Sequence, residues 1–329
     1  MLFFLFSCGA KPIDKITDSK TYHKNGQIKH HINYKNGIID GIYTEYYDNG
    51  KIKSKGNYIN NHKDGDWINY YKNGQIENKR QYINGKAKGK WIYYYLDGDI
   101  KQTVAYKDGH KHGKHIKYNG SDQIISIKSY HYGNEDGNWI SYYKNGQIRY
   151  KKKYDDGLKD GQWIHYYKNG QIRYEKVYSS NLEEGKWLNY YANGQIEKIS
   201  YYTDGNKDGQ WLYYFYDGRL CSETNYQYSV EHGQYVEYYK NGQIKQKGNY
   251  NIGKKEGTWV SFYVDGQIKE QVNYKDGNYD GKNIVFHHNG RIKSKGIWEN
   301  GKKDQIWAWY YENGQLIQEI SYKDGDLSW

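Results

Sequence analysis

The chain repeats itself every 24 residues, and that regularity limits its fold more than any other feature. The stretch Asp64-Gly65-Asp66-Trp67-Ile68-Asn69-Tyr70-Tyr71-Lys72-Asn73-Gly74-Gln75-Ile76 returns almost unchanged as residues 160–172. One glycine series runs Gly26, Gly50, Gly74, Gly98, Gly120, Gly146, Gly170, Gly194, Gly218, Gly242, Gly266, Gly290 and Gly314, with steps of 22 and 26 only around Gly120. A second series holds the same step from Gly41 through Gly65 and Gly89 to Gly281. Self-similarity at such a period marks a repeat architecture and overrides local readings.

Each repeat carries two runs rich in Trp, Ile and Tyr, residue types that suit a pleated, half-buried surface. Two such runs separated by Asn-Gly or Asp-Gly are a strong hairpin signal. Gly74, Gly146, Gly170, Gly194 and Gly242 are therefore expected to be turn glycines, with Asn73-Gly74 and its copies forming two-residue type I′ turns. That register pairs Tyr71 with Ile76 and Trp67 with Arg80. Alternation then puts Trp67, Asn69, Tyr71, Ile76, Asn78, Arg80 and Tyr82 on one face, and Ile68, Tyr70, Lys72, Gln75, Glu77, Lys79 and Gln81 on the other. Trp67, Trp91, Trp139, Trp163, Trp187, Trp211 and Trp259 form a column on the first face. Tyr70, Tyr94, Tyr142, Tyr166, Tyr190, Tyr214 and Tyr238 form one on the second. These two columns are the candidate binding surface.

The fold class expected is all-β: tandem 24-residue hairpin repeats in one elongated, twisted antiparallel sheet. One hairpin alone is marginal in water, so neighbouring hairpins must bury aromatic columns against each other. About 26 strands at ~4.8 Å spacing would extend roughly 120 Å. Twist is expected to shield the Trp-bearing face. Residues 22–329 are assigned to this domain, about 13 hairpins with an atypical last repeat as a cap. A single proline, Pro12, and mean hydropathy of −1.17 agree with a thin core of rings rather than aliphatics.

Before the repeats stands Met1-Leu2-Phe3-Phe4-Leu5-Phe6-Ser7-Cys8-Gly9-Ala10. Residues 1–8 resemble the end of a bacterial lipoprotein signal, which implies lipidation at Cys8, with 9–21 as a tether. The alternative is a buried apolar N-terminal segment. The run is too short to span a bilayer. The other cysteine, Cys221, sits where other repeats have Lys245, Lys53 or Arg149, and two cysteines give no disulfide framework.

Two regions depart from the pattern. Near Gly120 two extra residues are expected after the turn in Asn119-Gly120-Ser121-Asp122-Gln123, predicting a bulge or longer turn; His115 and Asn119 occupy the Trp and second-Tyr columns. Toward the C-terminus Asn283 takes a Trp column, His287 a Tyr column and Gln305 a glycine position.

The Gly-x-Tyr … Gly-x-x-x-Gly-x-Trp-x-x-x-Tyr-x-x-Gly-Gln-Ile pattern stands here as Gly248-Asn249-Tyr250, Gly253, Gly257-Thr258-Trp259, Tyr263 and Gly266-Gln267-Ile268. It resembles the MORN-repeat variant of bacterial YwqK-type proteins, over roughly residues 22–325. The resemblance implies consecutive β-hairpins in an extended antiparallel sheet, and some members carry an antitoxin label. Asp-Gly-x-Trp stands where ordinary MORN repeats have His-Gly-x-Gly, and His112-Gly113 and His232-Gly233 keep part of that older form.

No unique catalytic constellation is present. Asp64, Asp136, Asp160, Asp208 and Asp280 precede repeated glycines, and a ladder of copies reads as turn chemistry rather than as a general acid and base. His30-His31 and His287-His288 point to opposite faces; His110, His112 and His115 are placed in one inter-hairpin loop and read as solvated. No enzyme, metal or cofactor is expected. The expected function is a non-enzymatic repeat scaffold at the bacterial envelope, lipid-anchored, whose partner is a protein. Were the N-terminal run not a signal, the chain would be cytoplasmic. The alternatives are a cell-wall polysaccharide, anionic wall polymer or membrane surface, and an antitoxin or immunity role. The formal charge of +11 is read mainly as solubility and edge protection, and nucleic acid is not expected as a ligand. Membrane contact is expected through the lipid anchor only.

Overall fold

The computed structural model describes residues 14–328. Cys8 and the proposed signal lie outside the described residues. These residues form thirty antiparallel strands, with no helix among them. The chain divides into two compact units: residues up to 148 with Lys153–Leu158, and Arg149–Lys152 with Lys159 onward. In the first unit β1 (Ile16–Tyr22), β2 (Ile28–Lys35), β3 (Ile38–Tyr46), β4 (Ile52–Ile59), β5 (His62–Tyr70), β6 (Ile76–Ile83), β7 (Lys86–Tyr94), β8 (Ile100–Lys107), β9 (His110–Tyr118) and β10 (Ile124–His131) pair in sequence order. The second unit is built the same way from Tyr150 and Lys151, paired with the strand Gly161–Tyr166, through the strands Ile172–Ser179 and Leu182–Tyr190 to the last long strand at Leu316–Lys323.

The strand register agrees with the sequence at mid-hairpin and departs from it near the turn. Trp67 pairs with Arg80 and Asn69 with Asn78, as expected, but Tyr70 rather than Tyr71 pairs with Ile76. Glu77 is the extra residue, so Ile76 joins the face of Ile68 and Tyr70 instead of the Trp face. The reason is the turn. Gly74 N donates to Tyr71 O at 2.8 Å and Tyr71 N to Gln75 O at 2.8 Å. Gly74 has φ +94, whereas Asn73 is not left-handed. This is a three-residue loop, a type I turn closed by a left-handed glycine, and not the type I′ turn expected at Asn73-Gly74. Gly146, Gly170, Gly194 and Gly242 repeat it with φ between +84 and +88.

The type I′ turns lie at the other end of each repeat. Asn60 and Asn61 (φ 48 and 63), Asn84 and Gly85 (47 and 77), and Asp276 and Gly277 (51 and 86) are two-residue links with both residues left-handed. The acid before the second glycine series serves these turns: Asp64 Oδ1 accepts from Asn84 N at 3.1 Å, and Asp280 Oδ2 from Asn300 N at 3.2 Å. The repeated aspartates are thus turn chemistry.

The second glycine series creates a bulge. Between Lys79↔Ile92 and Gln81↔Lys88 the later strand carries two surplus residues, and Gly89 turns left-handed there at φ +70. The bulge would orphan a carbonyl, and the tryptophan two residues on repairs it. Trp91 Nε1 donates to Gln81 O at 3.1 Å, Trp67 to Asn57 O at 3.1 Å and Trp211 to Tyr201 O at 3.1 Å. A buried Trp removes roughly 150–250 Å² from water, up to about 4–6 kcal/mol at ~25 cal/mol per Å². Gly-x-Trp is therefore one device: a kink, a hydrogen-bond donor and a core residue.

Three further expectations change. Residues 16–21, placed in a tether, form β1 together with Tyr22, an edge strand paired with β2; its exposed, largely polar character blunts the edge. No residues are inserted near Gly120. Asp122 takes the left-handed position at φ 55, 24 residues from both Gly98 and Gly146, and Asn119 N bonds Gln123 O at 2.9 Å like every other turn. Aspartate tolerates that conformation, so the glycine simply moved out of step. Last, His110, His112 and His115 belong to strand β9, not to a loop.

Candidate functional site

The two predicted columns meet different fates. Trp67, Trp91, Trp139, Trp163, Trp187, Trp211 and Trp259 are only 2% to 8% exposed. They are core, and the expectation that they form a contact surface is corrected: bulge repair and ring packing hold them under their neighbours. In the first unit Tyr58, Trp67, Tyr82, Trp91 and Tyr106 follow one another at centroid spacings of 4.4–6.4 Å. In the second, Tyr178, Trp187, Tyr202, Trp211 and Tyr226 do so at 4.5–5.3 Å.

Tyr70, Tyr94 and Tyr142 in the first unit, and Tyr166, Tyr190, Tyr214 and Tyr238 in the second, are all half-buried; within each unit they lie on the face opposite the tryptophans, beside Ile68, Ile92 and Ile140 in the first and Ile164, Leu188, Leu212 and Val236 in the second. These rings and the aliphatic chains are partly open to solvent, except Val236, which is buried. Glutamates punctuate the row: Glu175 accepts from Tyr190 Oη at 3.3 Å and Glu223 from Tyr238 Oη at 3.2 Å. Lysines do the same at Lys55 over Tyr70 and Lys79 over Tyr94, 5.8 and 6.0 Å from the ring centres.

Two residue sets carry more than the sequence suggested. The second tyrosine of each pair is a cross-repeat tie: Tyr47, Tyr71 and Tyr191 hydroxyls donate to the carbonyls of Tyr70, Tyr94 and Tyr214 at 2.7–2.8 Å. The Tyr-Tyr doublet at a constant step was the available signal. Lysines also lie over the buried indoles. Lys63 Nζ is 4.2 Å from the Trp67 ring centre, Lys176 4.3 Å from Trp187, Lys198 4.7 Å from Trp211 and Lys255 4.1 Å from Trp259. Burial, first of all causes, pushes the ammonium pKa down at each of these four lysines. Burial and then Glu183 push the Tyr178 phenol up to about 12, and burial and then Glu231 do the same to Tyr226.

Among the described residues no three His, Cys, Asp or Glu side chains converge as metal ligands. His112 packs against His131 at 5.2 Å, and His115 bonds Gln102 Oε1 at 3.1 Å instead of meeting His110. Cys221 is a half-buried thiol whose pKa burial and Glu237 push up, the opposite of a reactive cysteine.

Hairpins that repair their own bulges and tie their turns to the next copy define a tandem β-repeat scaffold. The chain belongs to the MORN repeat variant family, whose model matches residues 18–36, 39–60, 63–84, 88–108, 135–156, 159–179, 183–204, 231–251, 255–276 and 306–324. Of the three long unmatched stretches, 109–134, 205–230 and 277–305, the first contains the displaced glycine at Gly120 and keeps the hairpin geometry of its neighbours. Comparison with curated proteins finds no match. Among solved structures, the chain is similar to a crystal structure of TcdB2-TccC3, at 13% identity over 96% of this chain and 19% of that one, TM-score 0.19. It is also similar to a Photorhabdus luminescens Tc holotoxin pore, at 12% identity over 94% and 17%, TM-score 0.18. The chain thus spans about a fifth of the length of those structures, and TM-scores this low say nothing further of it.

Proposed function

We propose that this repeat scaffold is non-enzymatic and binds a protein through the tyrosine face of each unit, which carries Tyr70, Tyr94 and Tyr142 in the first and Tyr166, Tyr190, Tyr214 and Tyr238 in the second. The observation behind the reading is the half-exposed tyrosine row with the half-exposed Ile and Leu chains beside it, Ile68, Ile92, Ile140, Ile164, Leu188 and Leu212. Rigid rings with a polar tip, set among aliphatic chains and a few charges, have the composition of a protein-recognition surface. Every group with acid, base or nucleophile character is either copied along the chain or isolated, which supports binding over catalysis. The site of action proposed is the bacterial envelope, with Cys8 as the lipid anchor. A wall polysaccharide would have to use the tyrosine column without the tryptophans, since those are buried.

The test is affinity capture from envelope extract with the full chain and with a Tyr190→Lys/Tyr214→Lys double variant, after circular dichroism has shown that the variant keeps its sheet. A protein captured by the wild type and lost by the variant supports the reading. Equal capture by both, or capture of purified wall glycan in place of protein, ends it.

A further inference from the structure

On the Trp-bearing face of the second unit, three rings lie stacked: Tyr150, His165 and Tyr174. Tyr150 and His165 are 5.3 Å apart at 24°, and His165 and Tyr174 are 4.4 Å apart at 18°. The ladder sets this up, because His165 pairs with Tyr150 on one side and Tyr174 on the other. An ammonium flanks each outer ring. Lys152 Nζ lies 4.7 Å from Tyr150 and 4.3 Å from Trp163; Lys176 Nζ lies 4.8 Å from Tyr174 and 4.3 Å from Trp187. Lys198 continues the row over Trp211.

The charged groups that act on the imidazole are Lys152, Arg149, Arg173 and Lys176, all cations. Burial first, and then these charges, hold His165 down at about 4, and its Nε2 is buried without a hydrogen-bond partner. Lys176 in turn feels Lys198 and Lys159, with Glu183 opposing them. Among the described residues Arg173, Lys176 and Lys198 form no ion pair, and Arg173 is exposed. Like charges gathered at a half-buried site raise one another's energy, and a bound anion relieves that.

We propose that this cluster binds a multivalent phosphate or sulfate anion of the oligophosphate class, held by Arg173, Lys176 and Lys198, with Arg149 and Lys152 on the other side of His165. A guanidinium and several ammonium groups suit phosphoryl oxygens. The rings are already stacked on each other, so no slot is left for a nucleic-acid base between them. The site lies on the face opposite the tyrosine column and does not rest on the protein-binding reading.

The experiment is calorimetric titration of the full chain with sodium tripolyphosphate at fixed ionic strength, with His165 ring resonances followed in parallel. Saturable binding that moves those resonances is expected. Arg173→Gln and Lys176→Gln should each weaken it about tenfold, as loss of a charge-assisted bond does. Lys176→Gln keeps its stem over the rings, and Arg173 is exposed, so both variants should fold. Lys295→Gln removes the same charge beside Tyr310 on the other face and should change affinity less than about twofold. No saturable binding, or equal weakening by all three substitutions, overturns the proposal. So does tighter binding of phosphatidylglycerol vesicles or oligo-dT that is insensitive to Lys176→Gln.

Discussion

Tyr71 and Tyr94 belong to different hairpins, yet the hydroxyl of the first is 2.7 Å from the backbone carbonyl of the second. The same tie recurs from Tyr239 to Phe262 and from Tyr263 to Phe286, and His23 and His287 make it through an imidazole nitrogen. Phe215 occupies this position without a hydroxyl. We expect Tyr191→Phe to lower stability by about 1 kcal/mol and Phe215→Tyr to raise it by about the same amount. Urea midpoints of the two variants against wild type check this. Opposite signs are required, since the phenyl ring is present in both members of each pair.

Gly56 lies flat beneath the Trp67 indole. A Cβ there would meet Trp67 Cδ2 at 2.3 Å, and the same holds for Gly248 under Trp259 at 2.2 Å. Neither glycine has positive φ, so the constraint is space and not backbone freedom. Gly56→Ala and Gly248→Ala should each cost about 1–3 kcal/mol and shift tryptophan emission to the red as the ring is displaced. Unchanged emission and midpoint would contradict the packing. Other repeats fill this place with Arg80, Lys128 or Lys176, whose stems lie against the next indole.

Ile252 is the first residue of a type I′ turn at φ 48 and is 74% exposed. A β-branched side chain is strained there and gains nothing from burial. Ile252→Asn is expected to stabilise the chain by about 1 kcal/mol, because asparagine adopts this conformation readily. A thermal melt decides it; a lower midpoint would count against the turn assignment. Gln305, left-handed at φ 58 where other repeats have glycine, should respond to Gln305→Gly in the same direction but less, since glycine loses more chain entropy.

His115 and His165 are both held at about 4 against an ordinary 6.5, by burial first and nearby cations second. The unfolded chain therefore binds more protons than the folded one between those values, and stability rises with pH across that window. Their contribution is present above about 6.5 and lost as pH falls toward about 4. In phosphate-free buffer the melting temperature should fall over that range, and His165→Phe, which keeps a ring between Tyr150 and Tyr174, should make the fall shallower. An unchanged slope would remove His165 from the account.

Much of this fold could be read from residue spacing alone. The period, the hairpins and the Trp67–Arg80 pairing all follow from the two glycine series and side-chain alternation. The turn types at the two ends of a repeat are not separable by sequence, because Asn-Gly suits two geometries. In Asn73-Gly74 the asparagine carboxamide accepts from Gln75 N at 3.0 Å, which favours the three-residue loop, and only Gly74 needs positive φ. The Trp column was legible as a column but not as core, because an aromatic stripe looks the same whether a bulge folds it inward or leaves it facing solvent. The cation cluster at His165 was not legible. It depends on Arg149, Lys152, Arg173 and Lys176 converging from two strands, and Glu77 and its equivalents, Arg149 and Arg173 among them, occupy the surplus position of the first bulge.

The ties that join successive hairpins span fixed distances along the chain. Asn49 reaches Lys72 O, Tyr47 reaches Tyr70 O and Asp64 serves Asn84 N, and the copies that keep these side chains find the same backbone partners in their successors. Excising or duplicating one whole 24-residue module within a unit therefore leaves every junction with a matching partner, whereas an indel of any other length strands a hydroxyl, a carboxamide and a carboxylate at once. Counting whole modules therefore sets how far such a unit extends, while the joints between modules set how firmly it holds together.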